Sequence, residues 1–252
     1  MADRLFSTMV SRVNASVPGC PQPTIVQYIR DSAIRTCERS LAWRYEVPKF
    51  DLLPGVHEYL YNKPSNADVH ALFEAVVNDK PLVRLTMEQA IGQYPEWADL
   101  YNGADPWALT SQSLVGQTEY NDALFNEGSL YQLPDAVVEG ASEPRIITQV
   151  TPDKYIVLPL PDDKTYTVRM WVALKPKRTA TGMDETIFDE LEDTILHGAL
   201  QYLLVLPNAH WTDRELATYH AKQYLSHLTE RRARSNLGTV RGVMMARMQP
   251  FS

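Results

Sequence analysis

The stretch from Asp184 to Ser235 restricts the fold more than any other part of the chain. Between Asp184 and Leu206, the residues Phe188, Leu191, Ile195, Ala199, Tyr202, Leu203 and Leu206 recur on one broad helical face, and Pro207 ends the pattern. Gly198 lies on that face, where a missing side chain lets a second helix cross closely although glycine costs about 1 kcal/mol against alanine. A short loop, Pro207 to Trp211, leads to Thr212-Asp-Arg-Glu215, which has the form of a capping box with Trp211 and Leu216 at the staple positions. A second helix follows from Asp213 to about Ser235. Two helices of similar length joined so tightly predict an antiparallel hairpin.

Upstream, Arg4 to Val13 reads as helical through Leu5, Met9 and Val13, and three prolines between Pro18 and Pro23 break it. Pro23 suits a first helical turn, and Ile25, Tyr28, Ile29, Ala33, Cys37 and Leu41 then repeat at helical spacing. From Arg44 the period changes. Tyr45 and Val47 alternate, Leu53-Pro54-Gly55 turns, and His57 to Tyr61 is extended again. Val69 to Val77, Leu82 to Leu85, Arg145 to Val150, Lys154 to Leu160 and Thr165 to Leu174 are further strand candidates, and Thr86 caps a short helix through Gln93.

This order predicts an α+β protein. The N-terminal helices (1–43) and a C-terminal antiparallel helical hairpin (181–235) form a helical bundle. A β-rich subdomain (44–180), with an irregular acidic region (85–144), is inserted between them, and an extended tail (236–252) follows. No internal repeat is visible.

The chain of 252 residues carries a net charge of −7, unevenly placed. Between Arg84 and Arg145 there are ten acids and no lysine or arginine; after Glu230 there are five arginines and no acid. Surfaces of opposite sign are therefore expected to face different neighbours. No apolar run approaches the roughly 20 residues needed to span a bilayer. Met1 to Val17 lacks the basic head and apolar block of a secretory signal, and Cys20 and Cys37 alone make no disulfide scaffold, as in a chain folded in a reducing cytosol.

Convergent chemistry is hard to find. There is no Walker loop, Rossmann glycine fingerprint, HExxH or nucleophile elbow. His220 and His227 could share a helix face, but a metal would need a third ligand from Asp213, Glu215 or Glu230, and the histidines read better as helix-surface residues. Glu96 with Asp99 or Asp105 gives only a nominal pair for glycoside hydrolysis. Trp97, Tyr101 and Trp107 could stack bases, yet a region without positive charge lacks the phosphate contacts that supply affinity. No cofactor or metal is expected.

The tail stands apart. Leu237, Val240, Val243, Met244, Met245, Met248 and Phe251 are too apolar for an ordinary solvated terminus, and Arg241 and Arg247 sit among them. Methionine-rich segments adapt to irregular grooves, and arginine adds charge-assisted contacts.

The order of motifs resembles the head-to-tail adaptor proteins (connector, or tubular tail protein A-like) of short-tailed bacteriophages. The likeness is strongest from Asp184 to Glu230, through His197-Gly-Ala-Leu-Gln-Tyr-Leu-Leu and Trp211-Thr-Asp-Arg-Glu-Leu-Ala. It extends to Ile156-Val-Leu-Pro-Leu-Pro-Asp-Asp, Tyr166-Thr-Val-Arg-Met, Cys37-Glu-Arg-Ser-Leu-Ala-Trp43 and Pro54-Gly-Val-His-Glu-Tyr. Tyr94-Pro-Glu-Trp97 and Gly103-Ala-Asp-Pro-Trp107 match less closely, with the usual Gly-x-Pro spacing displaced.

The resemblance implies a structural, non-enzymatic virion protein, made in the host bacterial cytoplasm and located at the head–tail interface. It implies a ring, typically of twelve, between the portal protein and the next tail component (nozzle or tube protein). DNA would pass through without sequence-specific binding, and no membrane is involved. The portal-binding residues it suggests are Arg241, Val243, Met244, Met245, Arg247, Met248 and Phe251; Tyr28, Leu191, Gly198, Tyr202 and Trp211 are candidates for subunit contacts or for packing within the bundle. The competing reading is a virion-associated cell-wall hydrolase using carboxylates of the acidic insertion.

Overall fold

The computed structural model describes residues 3–54, 56, 58–93, 142–207 and 209–237. The chain divides into two compact units, one from residues 1–43 and 178–252, the other from Arg44–Lys177.

The helical unit begins with a strand. β1 (Asp3–Leu5) pairs antiparallel with β10 (Gly182–Asp184), Arg4 opposite Met183. Only glycine fits at 182, since a Cβ there would lie 2.4 Å from the Arg4 carbonyl oxygen. A 3-10 turn (Phe6–Met9) and a short helix α1 (Val10–Asn14) follow, so helix occupies only part of the stretch expected from Arg4 to Val13. α2 (Gln22–Ser40) opens with Pro23 in its first turn and ends at Leu41, whose left-handed backbone lets its N–H donate to the Cys37 carbonyl. α4 (Glu185–Leu203) is capped by the Asp184 carboxylate, which accepts from the Ile187 N–H at 3.2 Å.

α5 (Arg214–Leu237) starts differently from the sequence pattern. Asp213, not Thr212, is its cap, accepting from the N–H groups of Glu215 (3.0 Å) and Leu216 (2.9 Å). Thr212 instead donates its hydroxyl to the Leu206 carbonyl. A carboxylate accepts two amides at once, so aspartate wins the position, and the Trp211–Leu216 staple falls out of register. The reciprocal arrangement does form at α3 (Met87–Gln93): Thr86 Oγ1 accepts from the Gln89 N–H, and Gln89 Oε1 from the Thr86 N–H.

The helices meet closely. α4 packs on both α2 and α5. A Cβ on Gly198 would lie 2.2 Å from Ser32 Oγ of α2 and 2.9 Å from Tyr224 Cε2 of α5. Ser32 is itself fixed, donating to the Ile195 carbonyl at 2.8 Å. α2 buries Ser32, Ala33, Thr36, Cys37 and Ser40, small side chains that permit the approach. Phe6, Phe188, Leu191 and Ile195 fill the core beside them.

The β unit has two four-stranded sheets. In the first, β9 (Tyr166–Pro176) lies between β2 (Arg44–Leu52) and β4 (Ala67–Val77), all antiparallel, with β5 (Lys80–Pro81) beyond β4. Arg44 is registered opposite Ala173. Pro48 falls where the β2 register slips, on an edge strand that tolerates its missing donor. Asn78 and Asp79 join β4 to β5 with positive φ at both residues, a turn whose twist matches the strands. In the second sheet the order is β3 (Glu58–Leu60), β8 (Lys154–Leu158), β7 (Ile146–Gln149), β6 (Val83–Arg84), with β6 parallel to β7. Phe50 of β2 meets Tyr59 and Tyr155 of this sheet at ring-centroid separations of 6.1 and 6.2 Å.

These findings correct the expected helical bundle with a C-terminal antiparallel hairpin. The described residues form an α+β protein with five α-helices and three sheets, about 29% strand, and a large β-rich part. Two local causes stand out. The chain's start is recruited into a sheet with β10, and the connection after α4 runs from Leu204 to Asp213, not as a five-residue loop. Leu204 already stops α4, before Pro207 is reached.

Candidate docking surface

The functional side chains of the helical unit sit on α4 and on the elements that touch it. Acidic residues crowd the first half of α4, and arginines from three other elements reach them. Arg4 of β1 bridges Asp189 and Glu192; Arg12 of α1 bridges Glu192 (3.0 Å) and Asp193 (2.7 Å); Arg231 of α5 reaches Glu190 at 3.1 Å. Hydrogen bonding to Asp193, the largest influence, holds Arg12 still more firmly in its charged form. Arg4 also lies over the Phe188 ring, 4.9 Å from its centroid. Sequence reading missed this network, because nothing local ties Arg4 to a residue 185 positions away.

Further along α4, His197 meets α5. Its Nδ1 lies 2.7 Å from His220 Nδ1, and its ring stacks on that of His227 with centroids 5.5 Å apart. Burial lowers the pKa of His197 and His220 below the ordinary value, and for His197 the neighbouring imidazoles add to the effect. Spacing had put His220 and His227 on one face; the third member could not be seen, since it comes from another helix. No group of three or more His, Cys, Asp or Glu suited to a metal ion forms among the described residues.

At the end of α4, Tyr202 is 42% exposed, and the Arg35 guanidinium of α2 lies 4.2 Å above its ring. Val205 and, on α5, Tyr219 and Leu225 are also exposed. Of the other residues singled out from sequence, Leu191 is wholly buried and Gly198 forms the three-helix crossing. Tyr28 is half-buried on α2. Trp211 is half-buried in the α4–α5 connection, edge-on to His210 at 4.7 Å. Arg241, Val243, Met244, Met245, Arg247, Met248 and Phe251 lie outside the described residues, as do Glu96, Asp99, Asp105, Trp97, Tyr101 and Trp107.

Cys37 is fully buried, and burial pushes its thiol up to about 12, which makes it inert at neutral pH. No described helix is long and apolar enough to cross a membrane. The acidic groups on α4 thus pair with arginines of β1, α1 and α5, and further along lie exposed aromatic and aliphatic side chains. Exposed side chains of this kind are available for contact with another protein.

The chain belongs to the SU10 adaptor protein family, a family of phage head-to-tail adaptors, whose model matches residues 5–245. A search of the curated proteins finds no match. It is accordingly a structural phage protein of the virion, in a role that implies contact with portal and tail components.

Proposed function

We propose that the protein assembles as a ring of twelve copies between the portal and the next tail component (nozzle or tube protein), and that DNA passes through it without sequence-specific contacts. Copies are made in the host bacterial cytoplasm and join the particle there. The observation that carries this reading is the family match across residues 5–245, nearly the whole chain. A closed ring needs two different complementary patches on each copy. Tyr202, which is exposed, and Tyr28 and Trp211, which are half-buried, serve the contact between neighbours; Leu191 and Gly198 serve the unit's own core.

Residues 236–252 act as the portal-docking tail. α5 closes with Arg231, Arg232 and Arg234, and the sequence continues with the methionine-rich, arginine-bearing segment. Removing the residues after Asn236 is expected to abolish attachment to portal-bearing particles while circular dichroism shows the helices intact. Undiminished attachment would overturn the assignment of the tail. Native mass measurement of the isolated chain and image reconstruction of the particle vertex test the ring and its copy number.

A further inference from the structure

We propose that the α4–α5 seam is a proton-sensitive latch: His197 and His220 hold the two helices together only while at least one imidazole of the pair is neutral, so mild acid loosens α5 from α4.

Two ring nitrogens 2.7 Å apart form a hydrogen bond only if one carries a proton and the other does not. Once both imidazoles are protonated, two N–H groups and two positive charges face each other at that distance. The His227 ring stacks on His197, so a third imidazole lies against the pair.

The surroundings do little to offset this. From α1, Arg12 brings another positive charge toward His197, and from α4, Asp193 is the carboxylate that favours the protonated form. That carboxylate is already held by Arg12 at 2.7 Å. Lower on the same seam, Glu190 of α4 is taken by Arg231 and Arg234 of α5. α2 meets the crossing through Ser32, whose proton is committed to the Ile195 carbonyl. α5 contributes Tyr219, edge-on to both His197 and His220.

The sign follows from linkage. An unfolded histidine titrates near 6.5, and both latch residues bind protons less readily in the folded state. The unfolded or opened state therefore takes up more protons as pH falls below about 6.5, and each excluded proton shifts the equilibrium toward opening by up to about tenfold per pH unit. As pH rises above about 7 both imidazoles become neutral in either state and the latch's contribution levels off.

Denaturant unfolding of the full chain between pH 7.5 and 5.0, compared with His197→Asn, tests the latch. The native chain should lose folding constant between pH 6.5 and 5.5, by up to about fivefold for each excluded proton, and the variant should lose clearly less. Equal slopes would overturn the proposal. If the variant does not fold, nitrogen-resolved NMR of the native chain decides: coupled His197 and His220 titrations shifted below 6.5 support the latch, and independent titrations at the ordinary value refute it.

Discussion

The two units reach order by opposite routes. In the β unit the turns and edges are set locally, by a two-residue turn at Asn78–Asp79 and by Pro48 at an edge bulge, while its sheets join strands as distant as β2 and β9. Tyrosine rings fill the space between its strands, and Tyr61 and Tyr155 bury hydroxyls that find no partner among the described residues. The helical unit also joins distant segments, but its closest approach depends on the absence of a side chain at Gly198. Its buried surface includes Ser32, Thr36, Ser40, Thr194 and His220, where the β unit buries mainly aliphatic and aromatic groups. Bulk apolar filling can accommodate substitution; a close crossing with fixed polar partners cannot.

The sharpest test is Gly198→Val. It should cost about 3 kcal/mol in denaturant unfolding, because the added carbons meet the Ser32 hydroxyl and the Tyr224 ring. Cys37 alkylation should accelerate alongside, since the buried thiol becomes reachable as the helical unit opens. In the β unit, Asn78→Ala should cost only about 1 kcal/mol, the combined effect of the positive φ and its side-chain bonds to Thr165 and Thr167. A penalty there as large as that of Gly198→Val would erase the contrast between the units.

Smaller effects refine it. Asp213→Ala should lower stability by about 1 kcal/mol, whereas Glu215→Ala should leave thermal unfolding almost unchanged, because only the former residue caps α5. Tyr59→Phe should cost about 1 kcal/mol, since its hydroxyl donates to the Val56 carbonyl at 2.9 Å. Tyr155→Phe should be neutral or slightly stabilising, as it removes a buried hydroxyl without a partner. Least of all, Arg12→Ala should cost under about 1 kcal/mol, and the difference should shrink in high salt.

Much of the fold was legible in local pattern. Strand-like runs placed β4, β7, β8 and β9, and helical spacing placed α2 and α4; burial of one face leaves its imprint on the helices, whereas β7 and β8 are buried at consecutive positions. The strand β1 was not legible: three residues carry no period, and its partner lies beyond the whole β unit. Nor was the polar part of the helical core, since the hydrophobic spacing passes over Ser32, Thr36 and Ser40 and only the fold sets Ser32 against Gly198. The Thr212 motif misled for a simpler reason. Its neighbour Asp213 competes for the same amides and is the better acceptor. Of the docking surface, the charge and aromatic content were visible in sequence, but the pairing of Arg4 and Arg12 with α4, and of His197 with α5, required the fold.

The register that sets Arg44 opposite Ala173 reaches beyond its own sheet. The first residues of the chain leave the ribosome long before Gly182, the strand partner they require, has been made. Once β2 has zipped onto β9, however, the intervening polypeptide no longer counts as slack. Its two ends emerge side by side, so the loop closed by pairing Asp3 with Asp184 shortens from about 180 residues to about 50, which lowers its closure cost by about 1 kcal/mol. Synthesis order and strand register together make the middle of the chain the device that reunites its beginning with its end.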